Sequence, residues 1–281
     1  MLVNKTNYKY GLIFTQLLLI LSIAIIAQTW IKNGDWVNKA VDLSGGTEIT
    51  LRFAGDLPAD LEDKIANEYR LRPRIFRSAD GGGISVTGKQ ELNATALVNF
   101  IESNGVTVDD SPSISSVGPA LGSSFWKQAQ LSILFGFVLM GISVYMIYRS
   151  PVPSIAIILS AASNMLETIA VMNLLGMEMS LGGIAALLMM IGYSVDTNVV
   201  LTTRLLKKEF GMEDFDKTVS SSMKTGLTMS AASMAALLAI IFFSPASVLT
   251  QIASVLIIGL FFDIPNTWLQ NSAILRWHLR A

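Results

Sequence analysis

"YGLIFTQLLLILSIAIIAQTWI", residues 10–31, runs for 22 residues without a charge. At about 1.5 Å of rise per residue, such a helix is long enough for a hydrocarbon core about 30 Å thick. Lys5 and Lys9 precede it, which makes a cleaved signal peptide the competing reading. The apolar run is too long for an ordinary signal-peptide core, and "AIIAQ" has isoleucine where a cleavage site wants a small residue. A retained membrane span is therefore expected. The whole chain agrees: 52% of its 281 residues are hydrophobic, 15% are charged, and the mean hydropathy is +0.53, too apolar for a soluble domain.

Cysteine is absent, so disulfides, thiolate metal sites, iron–sulfur clusters and cysteine nucleophiles are excluded. The single histidine, His278, lies near the C-terminus, which removes histidine-paired metal sites and the usual serine–histidine pair. No enzyme activity, cofactor or metal is expected, and no nucleic acid as partner. The net charge of −1 says little; the placement of charge along the chain says more.

Beyond the first span the character changes. Residues 32–123 carry 9 Lys+Arg and 13 Asp+Glu and read as a water-facing domain. Period-2 apolar positions predict strands at 47–53, 72–76, 83–88 and 105–110. Between them, 57–71, with Pro58 in its first turn, and 90–103 repeat apolar residues at helical spacing, and "DGGG" (80–83) marks a hairpin turn. The order strand, helix, strand, strand, helix, strand is the ferredoxin-like arrangement. The expected fold class is thus an α-helical polytopic membrane protein with an α/β ferredoxin-like domain between its first two spans.

Residues 124–271 then supply five further apolar runs, at about 125–148, 154–175, 181–205, 222–243 and 247–270, giving six spans in all. Lys5, Lys9, Arg149, Arg204, Lys207, Lys208, Lys217, Arg276 and Arg280 all fall on one side of a six-span arrangement, whereas "GMEMS" (176–180) and "SPAS" (244–247) have no Lys or Arg. By the positive-inside rule the N-terminus (1–9) and the tail (272–281) are cytoplasmic, with the α/β domain outside, in the cell membrane.

Three acids fall inside these runs: Glu167, Asp196 and Asp263. An ionised side chain at a helix centre costs about 2.5–3.5 kcal/mol on insertion scales, so each needs a reason. Ser160, Asn164 and Glu167 align at i, i+4 and i+7. Asp263, Asn266 and Gln270 are spaced in the same manner, with Pro265 beside the acid. Around Asp196, Gly192 and Thr203 share a face, and Ser194, Thr197 and Asn198 make the turn polar. Such stripes face one another or a hydrated cavity. They serve either as hydrogen-bonded glue or as a proton relay, and Lys224, at the start of the fifth span, is a cation available to Asp196 and Asp263. Lys224 can equally snorkel to the headgroups. "GISVTGKQ" (83–90) imitates a phosphate-binding loop, but Gln90 replaces its Ser/Thr and the stretch alternates as a strand. Asn93-Ala94-Thr95 is a glycosylation acceptor sequence.

"GYSVDTNVVLTTR" (192–204), "VDLSGGTEI" (41–49) and the order of one span, α/β domain and five spans resemble the SecF family, membrane subunits of the protein-export complex SecDF within the RND transporter superfamily. The motif residues are Asp42, Gly45, Gly46 and Thr47 in the domain, and Gly192, Tyr193 and Ser194 in the fourth span. Bacterial members carry the span's acid one position later, where this chain has Thr197, and an arginine where it has Lys224. "FFDIPNTWLQN" (261–271) looks like the archaeal form.

The resemblance implies assistance to unfolded preproteins crossing the Sec translocon, driven by the proton motive force. Asp196, Lys224, Asp263 and Glu167 are the relay candidates, a lipid bilayer is the surroundings, and SecD is the partner completing a twelve-helix assembly. An RND-type exporter half for lipids or drugs and a non-conducting translocon scaffold are the alternatives. An intramembrane aspartyl protease would need Asp196 and Asp263 as its pair.

Overall fold

In a computed structural model, the described residues are 8–53, 61–69, 72–78, 81–88, 94–108, 112–207, 212–244 and 246–279. Gln90, Asn93, Pro58 and the first part of the loop after the fourth span lie outside them. The chain divides into two compact units, residues 39–129 and the remainder.

The smaller unit contains a short helical turn α2 (Val41–Ser44), strands β1 (Gly46–Phe53), β2 (Arg72–Ser78), β3 (Gly81–Gly88) and β4 (Ser113–Val117), and helices α3 (Leu61–Tyr69) and α4 (Ala94–Ser103). The sheet order is β2-β3-β1-β4, every neighbouring pair antiparallel. Alternation sets the core: Ile49, Leu51 and Phe53 on β1 and Ile84 and Val86 on β3 pack with Leu61 and Ile65 of α3 and Leu97 and Ile101 of α4, pairs one helical turn apart. Residues 83–88, which imitate a phosphate loop, are ladder residues of β3.

The fourth strand is not where alternation predicts it. Of the expected strand 105–110, residues 105–108 are described and contribute the bridge Phe53↔Val108, while Ser113–Val117 pairs along β1. Gly105, at φ +86°, turns the chain out of α4, and Val106 plugs the core, so its apolar character serves packing and not a ladder. The true strand, "SISSV", is exposed along most of its length and so lacks an apolar alternation.

The "D-L-S-G-G-T" motif has a steric purpose in this unit. Gly45 sits at φ +76°, and a Cβ there would lie 2.6 Å from Pro119 Cα; a Cβ on Gly122 would lie 2.5 Å from Gly45 N. The chain entering β1 therefore crosses the first turn of helix α5 (Pro119–Tyr148) backbone to backbone, and only glycine allows it. Gly45→Val is expected to lower the stability of the unit by at least about 2 kcal/mol, through left-handed strain and overpacking, readable as a lowered thermal midpoint.

The larger unit is helical: α1 (Tyr8–Asn33), the remainder of α5, α6 (Pro151–Leu174), α7 (Leu181–Leu206), α8 (Met212–Phe243), α9 (Ser247–Pro265), a π-helical segment (Asn266–Asn271) and α10 (Ser272–Leu279). Six of its helical stretches are long and apolar enough to cross a membrane. Helices α6 and α7 are the most buried, while α1, α5 and α8 expose apolar faces such as Leu131, Leu134, Phe135, Val138 and Ile142. Ser180 caps α7 by accepting from Gly183 N, and its hydroxyl also bonds Gln251 of α9, whose amide donates to Glu178 O at 2.6 Å. That clamp fixes the "GMEMS" turn.

Glycines set two close packings. A Cβ on Gly226 of α8 would lie 2.3 Å from Trp268 Cζ2, and one on Gly259 of α9 2.1 Å from Met190 Sδ. Gly226→Leu is expected to cost about 1–3 kcal/mol or more by overpacking. Adding Trp268→Ala should recover part of that loss, so a double-mutant thermal-unfolding cycle with no coupling would contradict this packing.

Candidate functional site

Pro265 has no N–H to offer the preceding turn, and α9 does not continue as a regular helix beyond it. The chain continues as the π-helical segment Asn266–Asn271, a conformation that recurs at functional positions in helices. Asn266, Thr267, Gln270 and Asn271 of this segment are all buried, and it packs against both α6 and α7.

Toward α7 lie Asp263, Thr267 and Asn271. Ser194 Oγ donates to Asp263 Oδ1 and Thr197 Oγ1 to Oδ2, each at 2.7 Å, and Thr267 Oγ1 reaches Oδ1 at 3.4 Å. Asn271 Nδ2 donates to Asn198 Oδ1 at 2.6 Å, and Asn198 Nδ2 to the Ser194 carbonyl at 2.7 Å. Toward α6 lie Asn266 and Gln270. Asn266 Nδ2 donates to Glu167 Oε2 at 2.6 Å and Gln270 Nε2 to Ser163 Oγ at 3.2 Å. Both carboxylates are buried, Asp263 at 1% exposure and Glu167 at 0%.

Regular helical spacing predicts Asp263, Asn266 and Gln270 on one stripe. They divide between two neighbours instead. Residues four apart stay in line, so 263, 267 and 271 face α7 while 266 and 270 face α6.

Asp196 is not part of this seam. On α7 it is exposed, like Gly192 and Tyr193 before it, and a Cβ added at Gly192 would meet nothing within 4 Å. Lys224 is likewise exposed, on α8, and the described partners of Asp263 are hydroxyls, so the expected grouping of Asp196, Asp263 and Lys224 is not formed within this chain. Ser194 alone of the fourth-span motif enters the seam. Asp42, Gly45, Gly46 and Thr47 belong to the smaller unit, where Thr47 Oγ1 pairs with Ser116 Oγ at 3.2 Å.

Ser163, Thr267 and Asn271 join the site without having been expected there. All three were open to discovery from helical spacing: Ser163 is three residues from Ser160, and Thr267 and Asn271 are four and eight residues after Asp263. Arg276, expected as a loop charge, is buried, with Nη1 3.1 Å from Asp216 Oδ1 and its guanidinium over the rings of Phe215 and Tyr8 at 5.0 and 5.8 Å.

Six apolar helices, an α/β unit inserted after the first, and carboxylates buried between the later ones define a polytopic membrane protein with polar side chains inside its bundle. The pattern of the protein-export membrane proteins SecD and SecF, C-terminal part, matches residues 101–281. The protein-export membrane protein SecF of Pyrococcus furiosus is 36% identical over 281 residues, covering 99% of this chain and 93% of that one. SecF of Methanocaldococcus jannaschii is 38% identical, covering 97% of this chain and 96% of its own. The chain belongs to the SecF family.

Among solved structures, the crystal structure of SecDF, a translocon-associated membrane protein from Thermus thermophilus, superposes with a TM-score of 0.78 at 21% identity, covering 98% of this chain. This chain spans 38% of that protein's length. SecDF in a super-membrane-facing form superposes with a TM-score of 0.59 at 20% identity, covering 95% of this chain and the same 38% of that one.

Proposed function

We propose that this chain is an accessory subunit of the Sec protein-export machinery. With a SecD partner at the translocon, it assists unfolded preproteins across the cell membrane, drawing on the proton motive force and performing no catalytic step of its own. Family membership along nearly the full length supports the export role. Both termini are then cytoplasmic, and the α/β unit, whose strand order β2-β3-β1-β4 supports the ferredoxin-like reading, stands outside to meet the emerging chain.

One observation carries the coupling: Asp263 is buried within the bundle and its described side-chain partners are all hydroxyls. A hydroxyl both donates and accepts and rotates to suit, so the shell around Asp263 serves the carboxylate and the carboxylic acid without moving a helix. A proton can enter and leave such a site at small reorganisation cost. Asp196 plays a different part. An acid at an exposed mid-span position is costly against lipid, so this face of α7, with Gly192 and Tyr193, meets the SecD half, and Asp196 passes protons or charge across that boundary. Lys224 supplies a cation at the same kind of surface.

The chain is free of cysteine, so single cysteines can be placed without background. Tyr193→Cys is expected to crosslink to cysteines on the membrane helices of a coexpressed SecD, and Phe243→Cys, at the far end of α8, to do so much less. Equal yields from both would remove α7 as the interface. Loss of export in cells without the chain, restored by wild type, tests the role itself.

A further inference from the structure

The face of the π segment turned to α6 is short of hydrogen-bond donors. Asn266 and Gln270 both direct their amide N–H groups at α6, to Glu167 Oε2 and Ser163 Oγ, and both leave their amide oxygens without a hydrogen-bond partner. Glu167 Oε1, Asn164 Oδ1 and Ser160 Oγ are likewise unpartnered, and all five side chains are buried to 1% exposure or less. Ser160, Asn164 and Glu167 follow one another along a single face of α6, and the Glu167–Asn266 and Ser163–Gln270 bonds hold that helix against the π segment. Against these five oxygens, the unpartnered donors of the same side chains are Asn164 Nδ2 and the Ser160 hydroxyl itself.

A buried polar atom without a partner costs about 1–3 kcal/mol, and native interiors hold few of them. A group that resolves several at once is therefore favoured here. A proton on Glu167 gives a donor to one oxygen and leaves the others as they were. A cation can satisfy several of them at once, because every one is an oxygen donor of the kind hard cations take. The set contains one carboxylate, matching a single positive charge, and among the described residues no group of three His, Cys, Asp or Glu side chains forms a divalent-metal site. Broken membrane helices place oxygen donors together in this manner, and here Pro265 opens the π segment.

We propose that Ser160, Asn164, Glu167, Asn266 and Gln270 form a site for a dehydrated alkali cation, of sodium size, that ties α6 to the π segment. It is separate from Asp263, whose hydroxyl shell faces α7, and its role is to lock the two helices. Glu167 thereby leaves the list of proton-exchanging groups and becomes the counter-charge of a bound ion.

The test uses the chain in lipid nanodiscs, its thermal unfolding followed at constant ionic strength as sodium chloride replaces choline chloride. The midpoint is expected to rise with the logarithm of sodium concentration, as mass action requires, and to rise less with potassium. Asn164→Ala and Ser160→Ala are each expected to weaken the apparent sodium affinity about tenfold while the chain remains folded. Glu167→Gln, which keeps the shape and removes the charge, should abolish the response. Wild-type midpoints that coincide in sodium and choline overturn the proposal without reference to any variant, as does an undiminished sodium response in Glu167→Gln. Export is a separate readout, so failure here leaves the role of Asp263 standing.

Discussion

Asp263→Asn is expected to reduce rescue of export to the level of cells lacking the chain, with membrane abundance unchanged. Asparagine keeps the planar shape and one acceptor, and its N–H groups find acceptors because Ser194, Thr197 and Thr267 present hydroxyls that rotate. The hydrogen-bonded seam therefore closes around the amide, and packing on α7 survives. What is lost is the ability to change charge. Thr197→Ser, which keeps the donor at 2.7 Å, should rescue well, whereas Thr197→Val removes it and should rescue partly. The comparison is made by pulse-labelled export of a slowly folding secreted protein at matched membrane levels. Full rescue by Asp263→Asn would make the carboxylate structural glue and shift the reading to a non-conducting scaffold.

Arg276→Ala should be the most destabilising single change in the last helix. The guanidinium is 2% exposed, paired with Asp216 at the start of α8 and stacked over Phe215 and Tyr8, so one side chain gathers α1, α8 and α10. Desolvated cation–π contacts are worth up to about 2 kcal/mol, and hydrogen bonds to charged groups about 1.5–3 kcal/mol, which puts the combined loss at about 3 kcal/mol. Arg276→Lys is expected to recover little, since an ammonium lacks the planar fork that stacks and pairs together. Asp216, 40% exposed, is less demanding, and Asp216→Asn should cost less than half as much. Thermal unfolding in nanodiscs and steady-state membrane levels check the order; equal losses at the two positions would contradict it.

The membrane architecture was legible because, in a chain this apolar, an uncharged run of about 20 residues matches the thickness of a bilayer and exceeds what a soluble core helix needs. The α/β unit was legible where burial and alternation coincide, as at Ile49, Leu51 and Phe53, and misread where they separate. Val106 is apolar because it plugs a core, and "SISSV" is a strand despite its serines, because β1 has a second edge to satisfy. In the membrane, the polar residues were visible as costs, so Glu167, Asp196 and Asp263 stood out at once. Their neighbours were harder to assign, since regular helical spacing places 263, 266 and 270 together. Pro265 signalled an interruption and left open its form. Burial was the other hidden quantity: Ser194 and Asp196 are two residues apart, yet one faces the seam and the other does not.

The π segment also gives the bundle a built-in offset. It holds an extra residue in a wider turn, so migration of that turn by one residue along the helix would turn the side chain it passes by about 100°. If the residue passed is Asn266, it leaves the acid of α6 and swings toward a neighbour while the rest of the two polar rows keep their partners. A helix of this construction is indexed, like a wheel with detents, and its neighbours read discrete positions from it where a straight helix would offer only one.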